Sequence, residues 1–565
     1  VRALDLLESV AVGWGEGVHA HLPAIISAVA DHTCSALPPP DEPWSQRVWA
    51  LFSALASLVE SWADDDLPGD DDEEEGEERD GKEAAGAEER IRRAVEVAAS
   101  VARVLRVAWL NEPVDPSLVK PQPAAALEGE EDKEPPPTSW FDASLLLSFV
   151  LKAAANSPAS SPSTTAAAAA AAATAGDAAA LVAQWGVVAL LHKWVELVAE
   201  WTAWEEDEDE AVFQTIDSLL LLQGRTPVPD FISMAPPPPP LPPVPARSIL
   251  EGVACFVSSA LSDGSPAATW RASRHSHTLL NTAAVALNGG PAAAALAARF
   301  AEASLTRLST APSLSSIRYI TKPLLLALFS SLLASPPSVF PLLLSPAPAG
   351  DKGKGESGEG EGEKEEGGLR LGVVVRGVES LLALHAEPGL VLESELKLTV
   401  LALTCLVQQS AAAAAVTGSD LPAAVLAAAM AAMVRLKEVK EEGSSMEGSE
   451  EGEVDEEDEE EEDEDDEEPA LDENLDDAEL EAALMRRYAE AAKMIGSLEE
   501  DEADVEDEYG VELELGLTGL QDEQAGIRAC LQQHWAALGR QVVALKPSLS
   551  SDFAEAFPPA KPFLL

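Results

Sequence analysis

Four residues near the beginning of the chain have metal-ligand chemistry. His19, His21, His32 and Cys34 read H-x-H followed by H-x-C. Zinc takes four nitrogen or sulfur ligands in a tetrahedron, and these residue types qualify. The spacing argues against it. Two apart on a helix, His19 and His21 point to different faces, and no Cys-x-x-Cys accompanies them. We read them as loop histidines, and His275 and His277 as ordinary helix positions. Covalent catalysis finds no pattern either: there is no G-x-S-x-G elbow, no G-x-x-x-x-G-K-[ST] phosphate loop and no H-E-x-x-H helix. The carboxylates gather in acidic inserts, which cannot hold two groups at a fixed separation for acid/base work. The chain is therefore read as a non-enzyme without a cofactor.

The densest chemistry is an unbroken run of carboxylates: Asp455, Glu456, Glu457, Asp458, Glu459, Glu460, Glu461, Glu462, Asp463, Glu464, Asp465, Asp466, Glu467 and Glu468. Such a block attracts Lys/Arg-rich proteins and speeds encounter with them, in a salt-dependent way. Histones or ribosomal proteins fit that description. The bland alternative is a solvated loop that keeps the protein soluble. Two further features have bland readings that we prefer. Trp185, Trp194, Trp201 and Trp204 are read as packing residues more than as a binding surface. The proline run from Pro236 is read as a loop more than as a ligand for an SH3- or WW-type module.

The chain has 565 residues, 59.3 kDa and a formal net charge of −62. Residues 441–510 alone hold 35 acidic residues against three basic ones. Shorter acidic tracts lie at 64–80, 128–134, 205–210 and 351–366. Outside these five tracts the balance is close to neutral, so the charge does not oppose a packed fold. The same balance excludes charge-driven nucleic-acid binding, which needs Lys and Arg against phosphate, and attachment to an anionic membrane. Residues 323–350 carry no charge, but Pro336, Pro337 and Pro341 interrupt them, so no membrane insertion is expected. The cysteines Cys34, Cys255, Cys405 and Cys530 are far apart and make no disulfide framework, which fits a reducing compartment. The chain begins at Val1 rather than Met, which reads as a fragment.

The elements that must carry these residues are helices. Val48, Leu51, Phe52, Leu55, Val59 and Trp62 fall at three/four spacing over 47–62. So do Ile249, Val253, Phe256, Val257 and Leu261, with Ser248 and Glu251 forming a capping-box signal. So do Leu392, Leu396, Val400, Leu403 and Val407. The segments 91–110, 141–153, 178–201 and 421–438 also read as helices, and Leu371–Val375, though β-branched, is kept helical or irregular. Near the end, Ile527, Leu531, Trp535, Leu538, Val542 and Leu545 form a stripe that Pro547 should stop, and Leu549, Phe553 and Phe557 form a short final helix.

The resulting expectation is an all-α fold, a HEAT/armadillo-type α-solenoid with long disordered acidic and Pro/Ala-rich inserts. Helical repeats occupy 1–63, 139–224, 248–344 and 369–438, with a lone helix at 91–110. Between them lie an acidic insert (64–90), an acidic, Pro-rich loop (111–138), a Pro-rich loop (225–247), a Gly/Glu-rich loop (345–368) and an acidic insert (439–478). An Ala-rich loop (156–177) interrupts the second repeat block. Residues 479–522 read as acidic and partly helical, and 523–560 as a C-terminal helical hairpin.

Three segments resemble a known family. They are TWRASRHSHTLLN (Thr269 to Asn281), ARFAEASLTRL (Ala298 to Leu308) and ITKPLLLALFSSLLASPPSVFPLLL (Ile320 to Leu344). They resemble the C-terminal portion of plant or algal importin-β-like armadillo-repeat proteins, of the karyopherin-β superfamily. Trp270, Arg271, Ala272, His277, Thr278, Leu279, Leu280, Phe300, Arg307, Lys322 and Pro323 carry the match. An acidic tract ahead of a final amphipathic helix pair is a second point of resemblance. The resemblance implies a nuclear transport receptor: a superhelix that wraps basic cargo, binds the Ran GTPase and grips Phe-Gly nucleoporins. It implies residence in nucleus and cytoplasm and at the nuclear pore. The acidic run 455–468 would then be the cargo-binding loop. The alternative from charge alone is an acidic scaffold or histone-chaperone-like protein that is indifferent to Ran.

Overall fold

The computed structural model describes residues 21–38, 44–66, 81–113, 138–157, 178–202, 204, 209–232, 247–287, 290–311, 314–346, 369–383, 389–410, 419–446 and 522–564. The fold is all-α. The chain forms two compact units, Val1–Ala286 and Leu287–Leu565.

The first unit contains α1 (Leu22–Ala36), α2 (Gln46–Asp66), α3 (Gly81–Leu110), α4 (Thr138–Ala155), α5 (Ala178–Gln184), α6 (Val187–Val198), α7 (Glu210–Arg225), α8 (Ile249–Asp263) and α9 (Pro266–Leu287). The six stripe residues of α2 are all buried, and so are the five of α8. Burying a large apolar side chain contributes about 1.5–3 kcal/mol, so these stripes decide which face turns inward. Ser248 caps α8 by accepting from the Glu251 N–H at 3.2 Å, half of the expected box. The contacts skip along the chain. α1 packs on α3, α3 on α6 and α6 on α8, while α2 packs on α4 and α4 on α7.

The second unit contains α10 (Pro291–Thr310), α11 (Arg318–Ala334), α12 (Pro336–Leu343), α13 (Arg370–Leu381), α14 (Glu393–Ser410), α15 (Leu421–Met446), α16 (Glu523–Leu545), α17 (Leu549–Ala556) and α18 (Lys561–Leu564). Here α10 packs on α13, α13 on α15 and α15 on α17, while α11 packs on α14 and α14 on α16. Leu371–Val375 lies inside α13, as a helix. Pro323 sits within the first turns of α11 and has no N–H for the Tyr319 carbonyl; Tyr319 is exposed, while Ile320, Thr321 and Lys322 after it are buried. The uncharged run after Pro323 is two short helices broken at Ser335. Among the described residues no single helix is long and apolar enough to cross a membrane.

Several boundaries differ from the sequence reading, and α2 ends at Asp66, inside the insert expected over 64–90. α3 begins at Gly81, inside the insert expected over 64–90, and α15 runs to Met446, past the expected 439 boundary. The α3 overrun is rich in Ala, Glu, Lys and Arg, residues of high helix propensity, whereas only Lys440, Glu441 and Glu442 are of those four types in the α15 overrun. The helix expected over 178–201 is two helices bent by 65° at Gly186, whose φ is +67°. Only glycine adopts that conformation without strain. Arg106 holds the bend: its guanidinium donates to the Gln184 carbonyl at 2.8 Å, capping α5.

Several loops are closed at their bases. Phe231 O accepts from Leu250 N at 2.9 Å, across the Pro-rich stretch. Ser345 O accepts from Arg370 N at 3.1 Å, beside a bridge between Pro346 and Leu369, across the Gly/Glu-rich stretch. Leu381 O accepts from Leu390 N at 3.3 Å.

Candidate functional sites

The run Asp455–Glu468 lies outside the described residues. The helices that bracket it are described. α15 leads into the acidic stretch and α16 follows it, and the two pack together. Lys440 joins them: its Nζ lies 2.9 Å from Glu393 Oε1 and 3.4 Å from Glu523 Oε1. Lys397 Nζ also reaches Glu393 Oε1, at 2.7 Å. Burial works against the Glu393 charge, but the two lysines outweigh it and hold its pKa below the usual carboxylate value. Asp522 caps α16, accepting from Gln524 N at 2.9 Å and Ala525 N at 3.3 Å. Lys440 of α15 and Glu523 at the start of α16 thus tie together the two described helices that flank residues 447–521 in sequence. In α16, Ile527, Leu531 and Val542 are buried, Trp535 and Leu538 are half-buried, and Leu545 is exposed. Leu549, Phe553 and Phe557 are all buried, and the Arg528 guanidinium lies over the Phe557 ring at 5.8 Å.

Of the H-x-H and H-x-C residues, His21 and His32 are exposed and Cys34 is buried, while His19 lies outside the described residues. Among the described residues no group of three or more His, Cys, Asp and Glu is placed to hold a metal ion. All four cysteines are free. Burial raises the thiol pKa at Cys34 and Cys405, and pushes Cys530 up to about 12. The tryptophans pack. Trp185 and Trp194 are buried, with Trp194 Nε1 donating to Ser144 Oγ at 3.1 Å. Trp201 and Trp204 both lie against Phe256.

Of the residues that carried the family resemblance, Trp270, Arg271, Thr278 and Arg307 are half-buried and the rest lie in the interior. Ala272, His277, Leu279, Leu280, Phe300 and Lys322 are buried. Arg271 reaches from α9 to Glu210 of α7 at 3.2 Å and to Asp209, the residue before it, at 3.8 Å. Among the cross-helix ion pairs that sequence reasoning missed, two have a buried basic side chain. His275 on α9 lies 2.9 Å from Asp217 on α7, and Lys322 on α11 lies 2.8 Å from Glu395 on α14. The second pair had a signal: Lys322 is a charged residue heading an apolar run, and a buried charge needs a partner.

The chain matches no family model, no curated protein and no solved structure.

Proposed function

We propose that this chain belongs to a nuclear transport receptor of the importin-β (karyopherin-β) superfamily. It binds basic protein cargo on a HEAT/armadillo-type α-solenoid and its acidic loop, reversibly and without covalent chemistry. The skipping contact order supports the solenoid: α1, α3, α6 and α8 make one row, and α2, α4 and α7 the other. The second unit repeats the scheme with α10, α13 and α15 against α11, α14 and α16. Stacked helix pairs of this kind bury a continuous core while loops leave from the ends. The observation that carries the cargo reading is the Lys440 clasp. It ties together the two packed helices that flank the acidic stretch in sequence, and carboxylates at that density attract Lys/Arg-rich partners. Ran and Phe-Gly nucleoporins enter as partners through the family resemblance, and so does residence in nucleus, cytoplasm and pore.

The test is a pull-down of a core histone by the complete protein, with and without Ran-GTP, repeated after deletion of 455–468. The receptor reading expects Ran-GTP to release the histone and the deletion to weaken its capture. Indifference to both Ran-GTP and nucleoporin repeats overturns it. A second reading is favoured by the concentration of 35 acidic residues within 441–510. It is an acidic helical-repeat scaffold of histone-chaperone type, for which capture depends on 441–510 and ignores Ran.

A further inference from the structure

The α7–α9 seam of the first unit contains a buried histidine with an oxygen close to each ring nitrogen, although only Nδ1 has hydrogen-bond geometry. His275 is 2% exposed. Its Nδ1 lies 2.7 Å from the Arg271 carbonyl oxygen. A carbonyl only accepts, so Nδ1 carries a proton. Its Nε2 lies 2.9 Å from Asp217 Oδ1. A neutral ring would then set the Nε2 lone pair against a carboxylate; a second proton turns that repulsion into an ion pair. Phe213 of α7 lies 4.9 Å from the imidazole centroid, and an aromatic face favours a cation. Phe256 of α8 packs behind Phe213.

The other charges around this group are accounted for. From α9, Arg274 opposes a positive ring, and from α4, Lys152 acts on Asp217. From α7, Glu210 and Asp209 face Arg271. Burial works against the imidazolium, but the Asp217 carboxylate outweighs it, so the His275 pKa is raised. Burial likewise works against the Asp217 charge, and His275 outweighs it, so the Asp217 pKa is lowered.

We propose that the α7–α9 seam is a protonation lock. The imidazolium of His275, held between the Arg271 carbonyl and the Asp217 carboxylate, keeps α9 on α7, and loss of its proton releases α9. The sign follows from linkage. The His275 contribution is complete below its unfolded value of about 6.5 and is lost as pH rises through the raised folded value. The Asp217 contribution is present above its unfolded value of about 3.9 and is lost as pH falls through the lowered folded value. The lock therefore loosens as pH rises through the raised folded value of His275. The Asp217 side chain is 46% exposed, which gives solvent a route to the proton.

The experiment is nitrogen NMR of the histidine rings in the full chain, paired with hydrogen exchange of peptides from α4, α7 and α9. At pH 7 one buried histidine should carry protons on both nitrogens. Asp217→Asn should move its titration down by about one pH unit or more. After correction for intrinsic rates, α9 should exchange about tenfold faster at pH 9.5 than at pH 7, with α4 unchanged. A neutral buried ring at pH 7, or α9 protection that survives deprotonation, overturns the proposal. If Asp217→Asn fails to fold, the wild-type titration and exchange decide it alone.

Discussion

Lys322 Nζ and Glu395 Oε1 lie 2.8 Å apart in the interior of the second unit, with 5% and 0% of their side chains exposed. The pair joins α11 to α14. Glu395 is also the third residue of α14, and its other oxygen lies 3.5 Å from the Leu392 N–H. One carboxylate thus faces both a neighbouring helix and the start of its own.

Breaking that pair should cost more than replacing it. Lys322→Met or Glu395→Leu alone leaves an uncompensated buried charge, and each should destabilise the unit by about 3–5 kcal/mol. The double variant should recover most of the loss, since an apolar pair of similar volume needs no desolvation. Urea denaturation of the four proteins measures the coupling. Additive losses in the double variant would show that the two charges do not depend on each other.

Asp142, on α4, should make the fold less stable as pH rises. Burial between α2 and α4 pushes its pKa up to about 6, with Glu60 adding to the effect and Ser53 opposing it. A raised carboxyl contributes fully below the unfolded value of about 3.9 and loses that contribution as pH climbs through the folded value. Asp142→Asn should therefore stabilise the chain at pH 7.5, by about 1 kcal/mol after allowance for solvent screening. At pH 4.5 the gain should nearly vanish. Thermal melts at the two pH values check both sign and window.

Gly186→Ala should destabilise the α5–α6 bend by about 1–2 kcal/mol through its backbone alone. An added Cβ would also meet Arg106 Cδ at 3.1 Å and press on the side chain that caps α5. Paired Gly186→Ala and Arg106→Ala variants separate the two effects. A loss at Gly186 that persists without the Arg106 side chain belongs to the backbone.

The helix faces were legible in the sequence because apolar spacing alone specifies which side of a helix is buried. The stripes at Val48–Trp62 and Ile249–Leu261 are buried throughout. The Gly186 break was hidden: residues on both sides favour helix, and a single glycine does not announce a positive φ. The charged partnerships were hidden for a different reason. Asp217 and His275 are 58 positions apart, and only the packing of α7 against α9 makes them neighbours. The start of α3 at Gly81 was masked by acidic composition, although its Ala, Glu and Arg content favours helix.

The closed loop bases also determine how the molecule transmits force. A pull along the backbone reaches Ser345 and can cross directly to Arg370 through their hydrogen bond, without entering the residues between them. Residues 347–368 lie between those two bonded positions in sequence. Phe231 and Leu250 are fastened in the same way. Each fastening fixes the two chain ends that flank an insert, so lengthening or shortening the sequence between them should leave the neighbouring helices in place.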